Sequence, residues 1–218
     1  MHKAAISLFA LALIVPATTH ANNDRLADAT VVLTEMAGSF DAGIPKDLLS
    51  KAECVVILPG VKKGAIGFGG QYGRGYMACR TKGGWSAPSG MRIEGGSIGF
   101  QIGGSSTDVI LLVMNTRGAD KLLGSKFTVG ADAAVAAGPI GRQASAQTDL
   151  TMRAEMLAWS RARGVFAGVS LQGSTLRTDG GENEELYGKA DMSARSIVRG
   201  DVKAPTVASG LMAALAKY

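Results

Sequence analysis

The amino-acid sequence predicts an α+β fold: a curved, barrel-like antiparallel β-sheet core with an N-terminal amphipathic helix and a C-terminal helix. Three observations predict it. Glycine is dense inside otherwise apolar segments, at 64–75, 95–104 and 164–173, where it permits bulges, close backbone approach and sharp coiling of strands. The run Asp108–Met114 (DVILLVM) is apolar almost throughout, the pattern of a strand buried on both faces. Both ends of the chain show helical spacing of apolar residues.

In chain order, residues 1–21 read as a signal peptide. His2 and Lys3 form a basic start, Ala4–Val15 is apolar, and Thr19-His20-Ala21 is an A-x-A-like cleavage site. The apolar run is shorter than the roughly 20 residues that cross a bilayer, so a membrane anchor is the poorer fit. Residues 22–218 then form a single domain. Residues 24–40 place Leu26, Ala29, Leu33, Met36 or Ala37, and Phe40 on one stripe of a helix, with Asn22 or Asn23 as N-cap. A second short helix starts at Pro45 and carries Leu48 and Leu49. Val55–Leu58 is a strand that Pro59-Gly60 closes, which puts Lys62 and Lys63 in a turn. A short helix is expected over 118–124, a strand over 152–159, and its hairpin partner over 165–171 after Gly164. Val207, Leu211, Ala214 and Leu215 share a face of the final helix.

The composition excludes much chemistry. The formal net charge is +5 with 23 basic and 18 acidic residues, and loss of the leader removes only Lys3 from that balance. Such a mild excess suits anionic surfaces and gives no argument for nucleic acid. Both histidines, His2 and His20, fall in the leader. The mature chain therefore lacks the usual general base and the commonest metal ligand, so no catalytic residues, metal site or cofactor are expected and the chain reads as a non-enzyme. Cys54 and Cys79 are the two cysteines. In an exported chain they read as a disulfide, with two buried free thiols on separate strands as the alternative.

Several motifs fail on context. Gly73–Ala78 fits the G-x-G-x-x-A dinucleotide pattern but runs into Thr81–Gly84, a turn instead of a helix. Gly95–Gly99 fits a nucleophile elbow, yet its serine has no histidine to act with. Gly118–Lys126 has the wrong spacing and order for a phosphate loop. Glu182, Glu184 and Glu185 read as a solvated loop or helix start. Lys62 and Lys63, close in sequence to Arg74, suit an anionic membrane surface beside an amphipathic helix. The same residues also read as a solubilising lysine pair and a core-facing stripe, and physics alone favours those readings.

Taken together, five segments resemble the SYLF domain: PGVKKGAIGFGGQYGRG (59–75), GGWSAPSGMRIEGGSIGFQIGGSSTDVILLVMN (83–115), GADAAVAAGPIGR (130–142), SRARGVFAGVSLQGSTLRTD (160–179) and NEELYG (183–188). The resemblance runs from about residue 24 to 188, leaving 189–218 as a helical extension. SYLF domains are phosphoinositide- and lipid-binding modules, found beside Src-homology-3 or FYVE domains and in yeast proteins that bind actin. The resemblance therefore implies binding to an anionic phospholipid membrane surface, through Lys62, Lys63 and Arg74 with Leu26, Leu33 and Met36 of the first helix. A protein-interaction or structural module, actin-binding-like and without lipid binding, is the alternative. The leader implies a periplasmic or secreted location, away from cytoplasmic actin and inositol lipids.

Overall fold

The computed structural model describes residues 18–39, 43–66, 68–98, 103–124, 126–139, 154–162, 165–166, 171 and 173–218. Most of the expected leader, together with Phe40, Gly164 and 167–170, lies outside the described residues.

Among the described residues ten strands form one curled sheet: β1 (Cys54–Ile66), β2 (Phe68–Thr81), β3 (Gly84–Trp85), β4 (Ser89–Ile98), β5 (Gly103–Val113), β6 (Phe127–Thr128), β7 (Val135–Ala137), β8 (Met156–Ala162), β9 (Val165–Phe166) and β10 (Thr175–Thr178). The order is β6-β10-β4-β2-β1-β5-β8-β7, with β3 on β2 and β9 on β8. Pairing is antiparallel apart from β7, which runs parallel to β8. Among the described residues the helices are α1 (Thr18–Gly38), α2 (Lys46–Lys51), α3 (Thr116–Leu122), α4 (Gly180–Tyr187), α5 (Ala194–Val198) and α6 (Ser209–Leu215), the last preceded by a 3-10 turn at Thr206–Ala208. The expected curved, barrel-like sheet with a helix at each end is present, curled as a half-barrel.

Because strand side chains alternate between faces, a strand covered on both sides reads as an unbroken apolar run. β1 is such a strand. Val55 and Ile57 enter one core with α1, α2 and α6, while Cys54, Val56 and Leu58 enter a second core with α3, Phe127 and Leu176. Val109–Val113 of β5 are buried throughout. Leu211, Ala214 and Leu215 of α6 join the first core, whereas Val207 is exposed. Cys54 and Cys79 face each other across the β1–β2 register and are joined as a disulfide.

Pro59-Gly60 does not close the first strand. β1 continues to Ile66 and carries one extra residue relative to both neighbours: the register shifts between Ile57 and Lys62 against β2, and between Leu58 and Val61 against β5. This is a β-bulge in a central strand. Gly60 supplies the left-handed conformation it needs, at φ +55°. Its N–H donates to Asp108 Oδ1 at 2.9 Å, which satisfies the amide the bulge takes out of the ladder. Gly75 makes room on the adjacent strand, since a Cβ there would fall 1.9 Å from the Ile57 carbonyl oxygen.

Candidate functional site

The bulge decides where the lysines point. Without the extra residue Val61 would face α1. With it, Val61 packs in the second core, so Lys62 faces the α1 side and Lys63 the opposite side. Expected as neighbours in a turn, the two lysines are instead divided between the faces of a strand. Lys62 is exposed and its Nζ donates to Ser106 Oγ at 3.2 Å, its register partner on β5. Lys63 is half-buried, and burial lowers its ammonium pKa from the ordinary lysine value.

On the α1 side Lys62 stands in a row with Tyr72 of β2 and Ser106 of β5. Between this part of the sheet and α1 lies an open cleft of about 610 Å³. Asp24, Asp28 and Val31 of α1 form one wall, and Lys62, Asp108 and Arg161 belong to the other. Arg161 is committed: it donates to Asp108 Oδ2 at 2.9 Å and to Glu35 Oε2 of α1 at 2.5 Å. Burial works against its charge, but the two carboxylates outweigh that and raise its pKa. The chain Gly60–Asp108–Arg161–Glu35 thus ties the bulge to the helix that covers it.

A second polar cluster fixes the other end of α1. Asp179 caps α4, accepting from the Glu182 amide at 3.3 Å. Glu182, expected as solvated, is 1 % exposed. It accepts from Arg25 Nη1 at 2.7 Å and 2.5 Å and from the Tyr76 hydroxyl, so an arginine and a phenol satisfy its buried charge. Arg74 lies 3.0 Å from Asp179 and 3.8 Å from Glu182.

These placements move the candidate surface. Leu26, Leu33 and Met36, expected as a membrane-facing stripe, are 2 %, 0 % and 0 % exposed and pack on Ile57, Ile110 and Leu112. An apolar helix face beside an apolar sheet face of the same chain buries itself there first. Arg74, expected as a headgroup contact, is an internal ion-pair partner. Of the expected contacts, Lys62 alone combines exposure with the absence of a carboxylate within ion-pair distance among the described residues. Beside it are Val31, 51 % exposed, and Tyr72, 47 % exposed, two of the three large apolar side chains left open among the described residues. Sequence reasoning missed both. Val31 adjoins the buried stripe on α1, and Tyr72 sits among strand glycines, so neither has a local signal. No helix among the described residues is long and apolar enough to cross a membrane.

Comparison with known proteins gives consistent matches. The family model Ysc84, described as a Las17-binding protein actin regulator, matches residues 94–218. An SH3 domain-containing protein of Schizosaccharomyces pombe is 37 % identical over 174 residues, covering 77 % of this chain and 40 % of the relative. The SH3 domain-containing YSC84-like protein 1 of Xenopus laevis is 33 % identical over 173 residues, covering 78 % of this chain and 51 % of the relative. LAS seventeen-binding protein 3 of Saccharomyces cerevisiae is 33 % identical over 193 residues, covering 86 % and 41 %. The chain spans between two-fifths and about half of the length of these relatives.

Proposed function

The chain belongs to the SYLF (Ysc84) family, and from that premise we propose that it is a non-catalytic module that docks on anionic phospholipid surfaces through the patch of Lys62, Tyr72 and Val31. The observation that carries this reading is the grouping itself: an exposed cation without a carboxylate partner among the described residues, flanked by two exposed apolar side chains. An exposed lysine ammonium beside a tyrosine with an apolar ring and a polar tip suits the headgroup boundary of a bilayer. The leader-like residues 1–21 and the Cys54–Cys79 disulfide support export, which makes the proposed target an envelope membrane.

Sedimentation with vesicles tests it. Binding to phosphatidylglycerol vesicles that falls with added salt, with none to phosphatidylcholine vesicles, is the expected result. Equal sedimentation with both, or none with either, overturns it. A second reading draws on the family description, which names an actin regulator. In that reading the same patch meets a protein partner, and actin cosedimentation without vesicle binding would select it.

A further inference from the structure

We propose that the cleft between α1 and β1 seats the phosphoethanolamine headgroup of a phospholipid, with Lys62 on the phosphate and Asp24 and Asp28 on the primary ammonium. The membrane reading supplies the source of the headgroup; the charges of the cleft supply the chemistry.

Six charged side chains line the cleft, and three are already committed. Arg25 is paired with Glu182, and Arg161 with Asp108. The remaining three are Lys62, Asp24 and Asp28. All are exposed, and none makes an ion pair among the described residues. Asp24 and Asp28 stand one turn apart on the same face of α1, where their like charges repel each other and a cationic group between them relieves the repulsion. A purely anionic ligand would meet one cation and two carboxylates. A purely cationic one would leave Lys62 unused. A phosphate and an ammonium on one short group satisfy all three charges, and Val31, three residues beyond Asp28, offers apolar surface where the lipid body would continue.

The arrangement also sets a selectivity. Ionised carboxylates only accept hydrogen bonds, a primary ammonium has three N–H groups to give, and a trimethylammonium has none. Ethanolamine lipid is therefore favoured over choline lipid by about tenfold, the scale of a charge-assisted hydrogen bond.

The test compares vesicles of fixed phosphatidylglycerol content, with phosphatidylethanolamine or phosphatidylcholine as the remainder, for the parent and for Asp24→Asn/Asp28→Asn. Both positions are exposed, so the double variant keeps the fold. The parent is expected to prefer the ethanolamine mixture. The double variant loses that preference while gaining affinity for phosphatidylglycerol alone, since two repelling charges are gone. Equal binding of the parent to the two mixtures overturns the proposal and leaves the membrane reading standing. A preference that survives in the double variant comes from lipid packing and also overturns it. If the parent binds no vesicle, the membrane reading fails, and titration with soluble O-phosphoethanolamine decides the cleft. Amide shifts at Gly60 and Lys62 that phosphocholine does not produce support the proposal, and their absence overturns it.

Discussion

Gly60 and Asp108 are joined across the sheet by a hydrogen bond of 2.9 Å from the bulge amide to the carboxylate, and this bond holds the extra residue that turns Lys62 toward α1. The second Asp108 oxygen accepts from Arg161, so one carboxylate serves both the bulge and the α1 tether. Asp108→Ala is expected to destabilise the fold by about 1–3 kcal/mol, the scale of losing hydrogen bonds to a charged group. A lowered midpoint of denaturant unfolding at unchanged slope would show it. Parental stability would mean that the bulge holds itself.

The burial of the α1 stripe separates stability from binding. Leu33 is fully buried and Val31 half open, so Leu33→Ala is expected to cost about 2–5 kcal/mol of stability. Val31→Ser should leave stability within about 0.5 kcal/mol and weaken vesicle binding. A mild effect of Leu33→Ala, with loss of vesicle binding, would restore the stripe as the contact surface.

The disulfide closes a loop of sequence separation 25, which corresponds to about 3.5 kcal/mol in the chain-entropy model. Cys54→Ala/Cys79→Ala is expected to unfold at lower temperature yet keep its fold, because the cysteines already sit in a nine-pair ladder between β1 and β2. Thiol titration of the parent in denaturant without reductant should find no reactive thiol. Two reactive thiols would refute the bridge.

Alkaline pH gives a further test. Tyr76 and Tyr187 are both pushed up from the ordinary tyrosine range, Tyr76 by burial and by its bond to Glu182, Tyr187 by burial. An unfolded tyrosine loses its proton near pH 10. Above that pH the unfolded chain holds fewer protons than the folded one, so this stability is fully present below about pH 10 and falls as pH rises further. Each tyrosine adds up to about 1.4 kcal/mol per pH unit to the fall. Tyr187→Phe removes the hydrogen bond to the Pro88 carbonyl, 2.7 Å, at a cost of about 1 kcal/mol near neutral pH. It should also flatten the alkaline fall by one proton. An unchanged alkaline slope in the variant would contradict this.

The sheet and its two covering helices were legible because apolar runs and helical spacing are local. DVILLVM announces a doubly buried strand, and Leu26, Leu33 and Met36 announce a packed helix face. The bulge was not legible, since Pro59-Gly60 is also an ordinary turn signature and only the registers with β2 and β5 reveal the extra residue. The burial of Glu182 was hidden for a similar reason: its partner Arg25 lies 157 residues away in sequence. The site is harder still to read, because Val31, Lys62 and Tyr72 meet only after α1 is laid across the bulged half of the sheet.

The most direct test of the lipid-surface reading is vesicle sedimentation of Lys62→Glu beside Lys63→Glu. The two residues are adjacent in sequence but face opposite sides of β1, so overall charge changes equally while the patch loses its cation in one variant only. A lysine near an anionic surface contributes about 1 kcal/mol, and reversal adds repulsion to the lost attraction. Lys62→Glu should weaken binding to phosphatidylglycerol vesicles by about tenfold or more, and Lys63→Glu by clearly less. Folded Lys62→Glu that sediments as the parent does would contradict the account.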